Sequence, residues 1–372
     1  MFQHCARIGI VAAGTALVFG SASLRATPVR SDLDVRVVVA GLNDPRGLTF
    51  GPGGDLYIAE AGSGGSTLST AGLCDQLQPP VGPILGGASA RVLKLSTDGT
   101  LTTVAGNLPS AEASPLIGGD KQGVADVAVL GNGLFALLAG AGCSHGHAEA
   151  NNGLLRIDGN GSSLVADLSA WLLANPGVKG AQQPRNPDYE PDGTWFSMLV
   201  QEDAIYAVEP NHGLLVAIDK HDYSISLVHD LFATLGDHTY TSLASDRDDL
   251  YVGTLGQIAF GPGGIDLEHS FEAAVYRIPK HGAPEQIFSG LHAVVGLAFD
   301  RRHRMYVLQS PIFVPGTGSL VRIDETGQSE TVLDHLVFPS SLRRGPDHAL
   351  YFSECGFHCQ PGDGRVVRVA VD

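Results

Sequence analysis

PRGLTFGPGGDLYIAE, from Pro45 to Glu60, sets two short apolar runs on either side of a Gly/Pro/Asp turn. β-Branched and aromatic runs flanking residues that tolerate positive φ predict a tight β-hairpin. The chain then repeats it. An aliphatic–aromatic pair recurs as Leu56-Tyr57, Leu134-Phe135, Ile205-Tyr206, Leu250-Tyr251, Met305-Tyr306 and Leu350-Tyr351. Each aromatic lies eight or nine residues beyond an apolar anchor: Leu48, Val127, Met198, Leu243, Leu297 and Leu342.

Two more strand types accompany each hairpin, one before it (37–42 or 332–336, for example) and one after it (154–158 or 320–324). A four-stranded unit repeated six times predicts an all-β, six-bladed β-propeller. The landmark aromatics are 78, 71, 45, 55 and 45 residues apart, so the early gaps hold insertions, placed at 61–90, 139–152 and 174–193. The chain starts on an outer-type strand (35–42) and ends on a third-type strand (366–371). The first strand is therefore expected to complete the sixth blade and close the ring, removing a bare sheet edge. Each landmark Tyr or Phe is expected to be buried between blades, a contribution of about 1.5–3 kcal/mol apiece. Residues 168–173 are read as a turn.

Only 17% of the 372 residues are charged and the net charge is −16, which leaves no basic footprint for nucleic acid. Residues 1–26 read as a signal peptide: Arg7, an apolar run from Ile8 to Gly20, then small residues up to Ala26. The run is short for a membrane span. The remaining chain, 27–372, is expected to be one exported propeller domain, secreted or periplasmic and monomeric. Of its four cysteines, Cys355 with Cys359 and Cys74 with Cys143 are expected to form disulfides, the oxidising compartment favouring cystine. The His-containing runs Cys143-Ser-His145-Gly-His147 and Cys355-Gly-Phe-His358-Cys359 leave zinc as the alternative, although no second close pair completes a four-ligand set.

In a propeller the loops leading into the innermost strands and those joining the second to the third strands share one face, where function collects. Three residues beyond each landmark aromatic stand Glu60, Leu138, Glu209, Thr254, Gln309 and Glu354. They are expected at one height around the ring, either as a site or as solvated rim groups. Arg46 is placed to bind an anion in the channel or to pair with Glu60 or Glu354. The third blade carries the densest polar cluster: Glu190-Pro-Asp192-Gly-Thr-Trp195, Glu209-Pro-Asn211-His212-Gly213 and, in the next loop, Asp237-His238. Oxygen donors at Asp192, Glu209 and Asn211 would suit a divalent cation, Ca or Mg. The competing reading is that these loops are turns, with Asp and Asn capping backbone groups. No G-x-S-x-G, H-E-x-x-H, P-loop or dinucleotide fingerprint is present.

PRGLTFGPGGDLYIAEAG, EPDGTWFSM, AIYAVEPNHG and LYVGTLGQIAFGPGG resemble the ScyD/ScyE family, exported six-bladed propellers named from the scytonemin gene cluster of cyanobacteria. The similarity spans the mature chain, with EPDGTW and VEPNHG its more specific parts. It implies the propeller and export, and brings no catalytic set for Glu190, Asp192, Glu209, Asn211 or His212. Three functions follow as expectations. The first is a module binding a small molecule, glycan or protein on the loop-rich face. The second is a metal-dependent lactonase or hydrolase of the gluconolactonase-like type. The third is a quinone-dependent sugar dehydrogenase.

Overall fold

The computed structural model describes residues 27–28, 33–159, 161–182, 187–201, 204–261, 264–266, 272–311 and 314–371. The signal peptide read at 1–26 lies outside them. Six antiparallel sheets, blades 1 to 6, each have four main strands ordered from the axis outward. The innermost strands are Pro45–Phe50, Val124–Leu130, Ser197–Val200, Tyr240–Asp246, Val294–Phe299 and Ser341–Arg344. The expected six-bladed propeller is the observed fold.

Ring closure follows the expected route. Val35–Leu42 is the outer strand of blade 6 and pairs with Gly364–Val369, from Val35 opposite Val369 to Leu42 opposite Gly364. Thr27–Pro28 adds a short edge to blade 5 beside Ser329–Leu336. The core lies between blades. Leu42, Leu48, Leu56, Ile58, Leu93, Tyr351 and Val366 form one such layer, joining blades 6 and 1. At the inner ends, side-chain hydroxyls fasten neighbouring blades: Ser197 Oγ donates to Thr241 O (2.6 Å), Thr241 Oγ1 to Val294 O (2.6 Å) and Ser340 Oγ to Pro45 O (2.7 Å).

The landmark aromatics divide. Phe135, Tyr306 and Tyr351 are buried, whereas Tyr57, Tyr206 and Tyr251 are half-buried while packing against the following blade. Burying a phenol requires an acceptor for its hydroxyl. Tyr351 has Asp347 Oδ2 at 3.2 Å, and Tyr306 has Asp300 Oδ2 at 3.5 Å and Val371 O at 3.4 Å.

Two other expectations need correction. Residues 168–173 are not a turn: Leu168–Ala174 is a helix, started by Asp167, whose side chain accepts the Ala170 N–H. Asp230 does the same for Leu231–Leu235. An aspartate ending an outer strand is an N-cap in waiting. The insertion read at 61–90 is also partly strand, because the third strand of blade 1 begins at Leu85 and pairs with Leu101–Glu112 through small residues and bulges.

Both disulfides form as expected. Cys74–Cys143 ties the blade 1 insertion to blade 2, and Cys355–Cys359 closes a short loop on blade 6. Among the described residues no helix is long and apolar enough to cross a membrane.

Candidate functional site

The residues expected at one height do end their second strands: Glu60, Leu138, Glu209, Thr254, Gln309 and Glu354. Four of them use that position as a clasp. Glu60 accepts the Asn43 N–H (2.7 Å), Glu354 that of Val337 (2.9 Å), Gln309 that of His292 (2.7 Å) and Glu209 that of Thr194 (3.0 Å). Each donor belongs to the segment leading into the same blade. Glu60 and Glu354 are fully buried, and an arginine directly across the sheet neutralises each, Arg91 and Arg365. Their carboxylates therefore hold the ring together and do not face a shared space.

Glu209 has no such arginine, and the turn after it takes over. Its oxygens also accept the N–H of Asn211 (3.1 Å) and of His212 (2.5 Å), with His212 Nδ1 at 3.2 Å. His212 Nε2 in turn meets the Tyr189 hydroxyl at 3.2 Å. Asn211 then brackets the neighbouring loop, its Oδ1 accepting the Glu190 N–H (2.9 Å) and its Nδ2 donating to Asp188 O. VEPNHG is thus a frame that presents Asp188 and Glu190. Gly193 (φ +77°) lets the EPDG turn pass Leu172, where a Cβ would lie 2.4 Å from Cδ2.

Of the proposed cation ligands, Glu209 and Asn211 are occupied elsewhere, whereas Asp192 keeps a buried Oδ1 without a hydrogen-bond partner. Asp192 turns towards blade 2 and accepts the Ser144 N–H (3.2 Å), while Glu209 and Asn211 serve the backbone groups just named. Among the described residues no group of three or more His, Cys, Asp or Glu is arranged to hold a metal ion. His238 packs against Tyr240 and Tyr276, with Nε2 on Leu235 O (3.0 Å).

A cavity of about 170 Å³ opens on the axis, and its walls come from the two loop sets that the repeat places on one face. Of the residues singled out from sequence, Arg46, Glu190, Trp195, Asn211 and Asp237 line it. Lys179, Asp120, Asp188, Phe196 and Phe357 complete its charged and aromatic wall. Arg46 pairs with neither Glu60 nor Glu354. Its Nη2 reaches Asp120 Oδ1 (3.2 Å) and Lys121 O, and its guanidinium lies 3.8 Å from the Phe357 ring centroid. The link from the outer strand of blade 1 to the inner strand of blade 2 brings Asp120 within reach of Arg46, whereas Glu60 and Glu354 are already held by Arg91 and Arg365. Lys179 Nζ pairs with Asp237 Oδ1 at 2.8 Å. Glu190 Oε2 lies 3.1 Å from Nε2 of His145, and both side chains are buried. Burial opposes charge on His145, but Glu190, with Asp192 and the backbone at Ala141, outweighs it and holds the imidazole pKa above its usual value. Burial, reinforced by Glu190, pushes the Asp188 carboxyl up to about 8.

Farther along the axis, Arg343 of blade 6 crosses the channel. It donates to Leu48 O on blade 1 (3.0 Å), Asp126 Oδ2 on blade 2 (2.8 Å) and Met198 O on blade 3 (2.9 Å). Gly47 permits this, since a Cβ there would lie 1.9 Å from Asp126 Oδ1.

No protein-family model and no curated protein matches the chain. Solved structures do. A protein described as an oxidoreductase of glucose dehydrogenase type from Thermus thermophilus is 18% identical, with a TM-score of 0.53, over 91% of this chain and 100% of its own. A gluconolactonase from Xanthomonas campestris is 12% identical, with a TM-score of 0.52, over 91% of each chain. The PQQ-bound aldose sugar dehydrogenase of Streptomyces coelicolor is 14% identical, with a TM-score of 0.52, over 93% of this chain and 100% of its own. At such identities the likeness is one of fold, and the chain has the propeller scaffold that gluconolactonase-like and sugar dehydrogenase proteins share.

Proposed function

We propose that the protein is an exported binding module of the ScyD/ScyE type that holds one small molecule in the axial cavity. The observation that carries this reading is the cavity itself: loops of blades 1, 2, 3, 4 and 6 converge on it, and Arg343 crosses the channel beyond it. Concave sites built from loops on a rigid scaffold are where ligands bind. The two disulfides support an extracellular or periplasmic setting.

A small-molecule library read by thermal shift, followed by calorimetry, tests it. The wild-type protein should bind at least one member. Thr194→Trp, which fills the cavity from a partly exposed wall position, should keep the fold and lose the binding. Equal binding by both proteins, or binding by neither, would overturn the reading.

Asp188 beside Glu190 favours a hydrolytic reading of the same cavity, because one carboxyl is held neutral while the other is ion-paired. It predicts ring opening of lactones followed by pH-stat, lost in Asp188→Asn and Glu190→Gln, with elemental analysis showing whether a metal takes part. Dye reduction with added pyrroloquinoline quinone would instead move the protein to the sugar dehydrogenase type.

A further inference from the structure

The charges around the cavity are arranged in pairs, and the pairing limits what can enter. Arg46 is matched by Asp120 at 3.2 Å, Lys179 by Asp237 at 2.8 Å and Glu190 by His145 at 3.1 Å. Each pair is pinned further. The Phe357 ring covers the Arg46 guanidinium face, and Lys179 is 7% exposed with the Phe232 ring 5.7 Å from its Nζ. Glu190 and His145 are 1% and 0% exposed. A charged ligand would have to break one of these pairs or enter without a counter-charge, and an unpaired charge removed from water is strongly disfavoured.

Apart from Asp188, the remaining wall is uncharged. Trp195, Phe196, Leu255 and Ile258 supply apolar surface, and Gln122 and Thr194 supply neutral hydrogen-bonding groups. The volume, about 170 Å³, is close to that of an apolar cavity of roughly 150 Å³ that accepts benzene. It suits one ring rather than a chain.

We infer that the ligand is a single uncharged ring with an apolar face and a hydrogen-bonding edge, and that the Arg46–Asp120, Lys179–Asp237 and His145–Glu190 pairs select it against charged analogues. The inference rests on the binding reading above. Asp188 belongs to the same arrangement, since burial and Glu190 favour its neutral acid. A hydroxylated arene and a monosaccharide share this chemistry, and matched probes separate them.

Calorimetry at pH 7 with benzyl alcohol, benzoate and benzylammonium, and with glucose, glucuronate and glucosamine, tests it. One neutral probe should bind at least tenfold more tightly than its two charged counterparts. Asp120→Asn and Asp237→Asn, each leaving a cation without its partner, should raise affinity for the matching carboxylate at least tenfold. A charged probe binding the wild-type protein as tightly as its neutral counterpart would overturn the inference and leave the binding reading intact. So would a charged library ligand whose binding Thr194→Trp abolishes. Binding of neither the probes nor any library member would overturn both.

Discussion

Asp188 shows how much one residue's surroundings decide. Its carboxyl is held up to about 8 by burial and by Glu190, whereas in the unfolded chain it titrates near the ordinary carboxylate value of 3.8. Between those values the folded state keeps a proton that the unfolded state has released. The stability this provides is fully present below the unfolded value and is lost as pH rises through about 8. Asp188→Asn should therefore match the wild type near pH 4, gain on it up to pH 8, and hold a constant lead above. Urea midpoints across that range measure it, and a lead that does not change with pH would refute the assignment. Nothing in the sequence singled this residue out. Glu190 stood in a recognisable turn, while Asp188 acquires its role only because Asn211, in another loop, grips the backbone on either side of Tyr189.

At the scale of elements, the hairpins were legible and the cavity walls were not. The aliphatic–aromatic pair recurs in the second strand of every blade, and the register followed from its spacing down to the residue ending each. That register also revealed a chemistry the spacing alone concealed. Glu60 and Glu354 look like site residues until Arg91 and Arg365 are seen opposite them, contributed by a strand that pairs only in the folded sheet. Half of the charged wall, Lys179, Asp188 and Glu190, comes from the insertion at 174–193, which has no repeat to read. The other two insertions are tied to each other by Cys74–Cys143, 69 residues apart. Replacing both cysteines by serine should cost about 4 kcal/mol, as expected for freeing a loop of that length. It should also loosen His145, two residues beyond Cys143, from Glu190. Urea unfolding checks the first, and a loss below about 1 kcal/mol would show that packing alone holds the insertion.

Across the whole molecule, the ring is fastened twice, at its rim by Val35–Leu42 and at its axis by Arg343. Arg343→Met would leave Asp126, 1% exposed, without its counter-charge, at a cost of about 3–5 kcal/mol. Asp126→Leu combined with Arg343→Met should recover much of that, because an apolar pair needs no partner. Denaturation of the single and double variants decides it, and a double variant weaker than the single one would show that the hydrogen bonds to Leu48 and Met198 dominate.

The rim fastening also sets an order in time. Residues 35–42 are made long before their partner, Gly364–Val369. Until then the nascent chain trails an unmatched apolar ribbon, and no circular intermediate can form before blade 6 is complete. A permuted gene that moves this ribbon behind Val371 turns its distant pairing into a local one. The permuted protein should refold faster than the natural order with little change in unfolding rate, and equal refolding rates in stopped-flow would mean that circularisation is not the slow event.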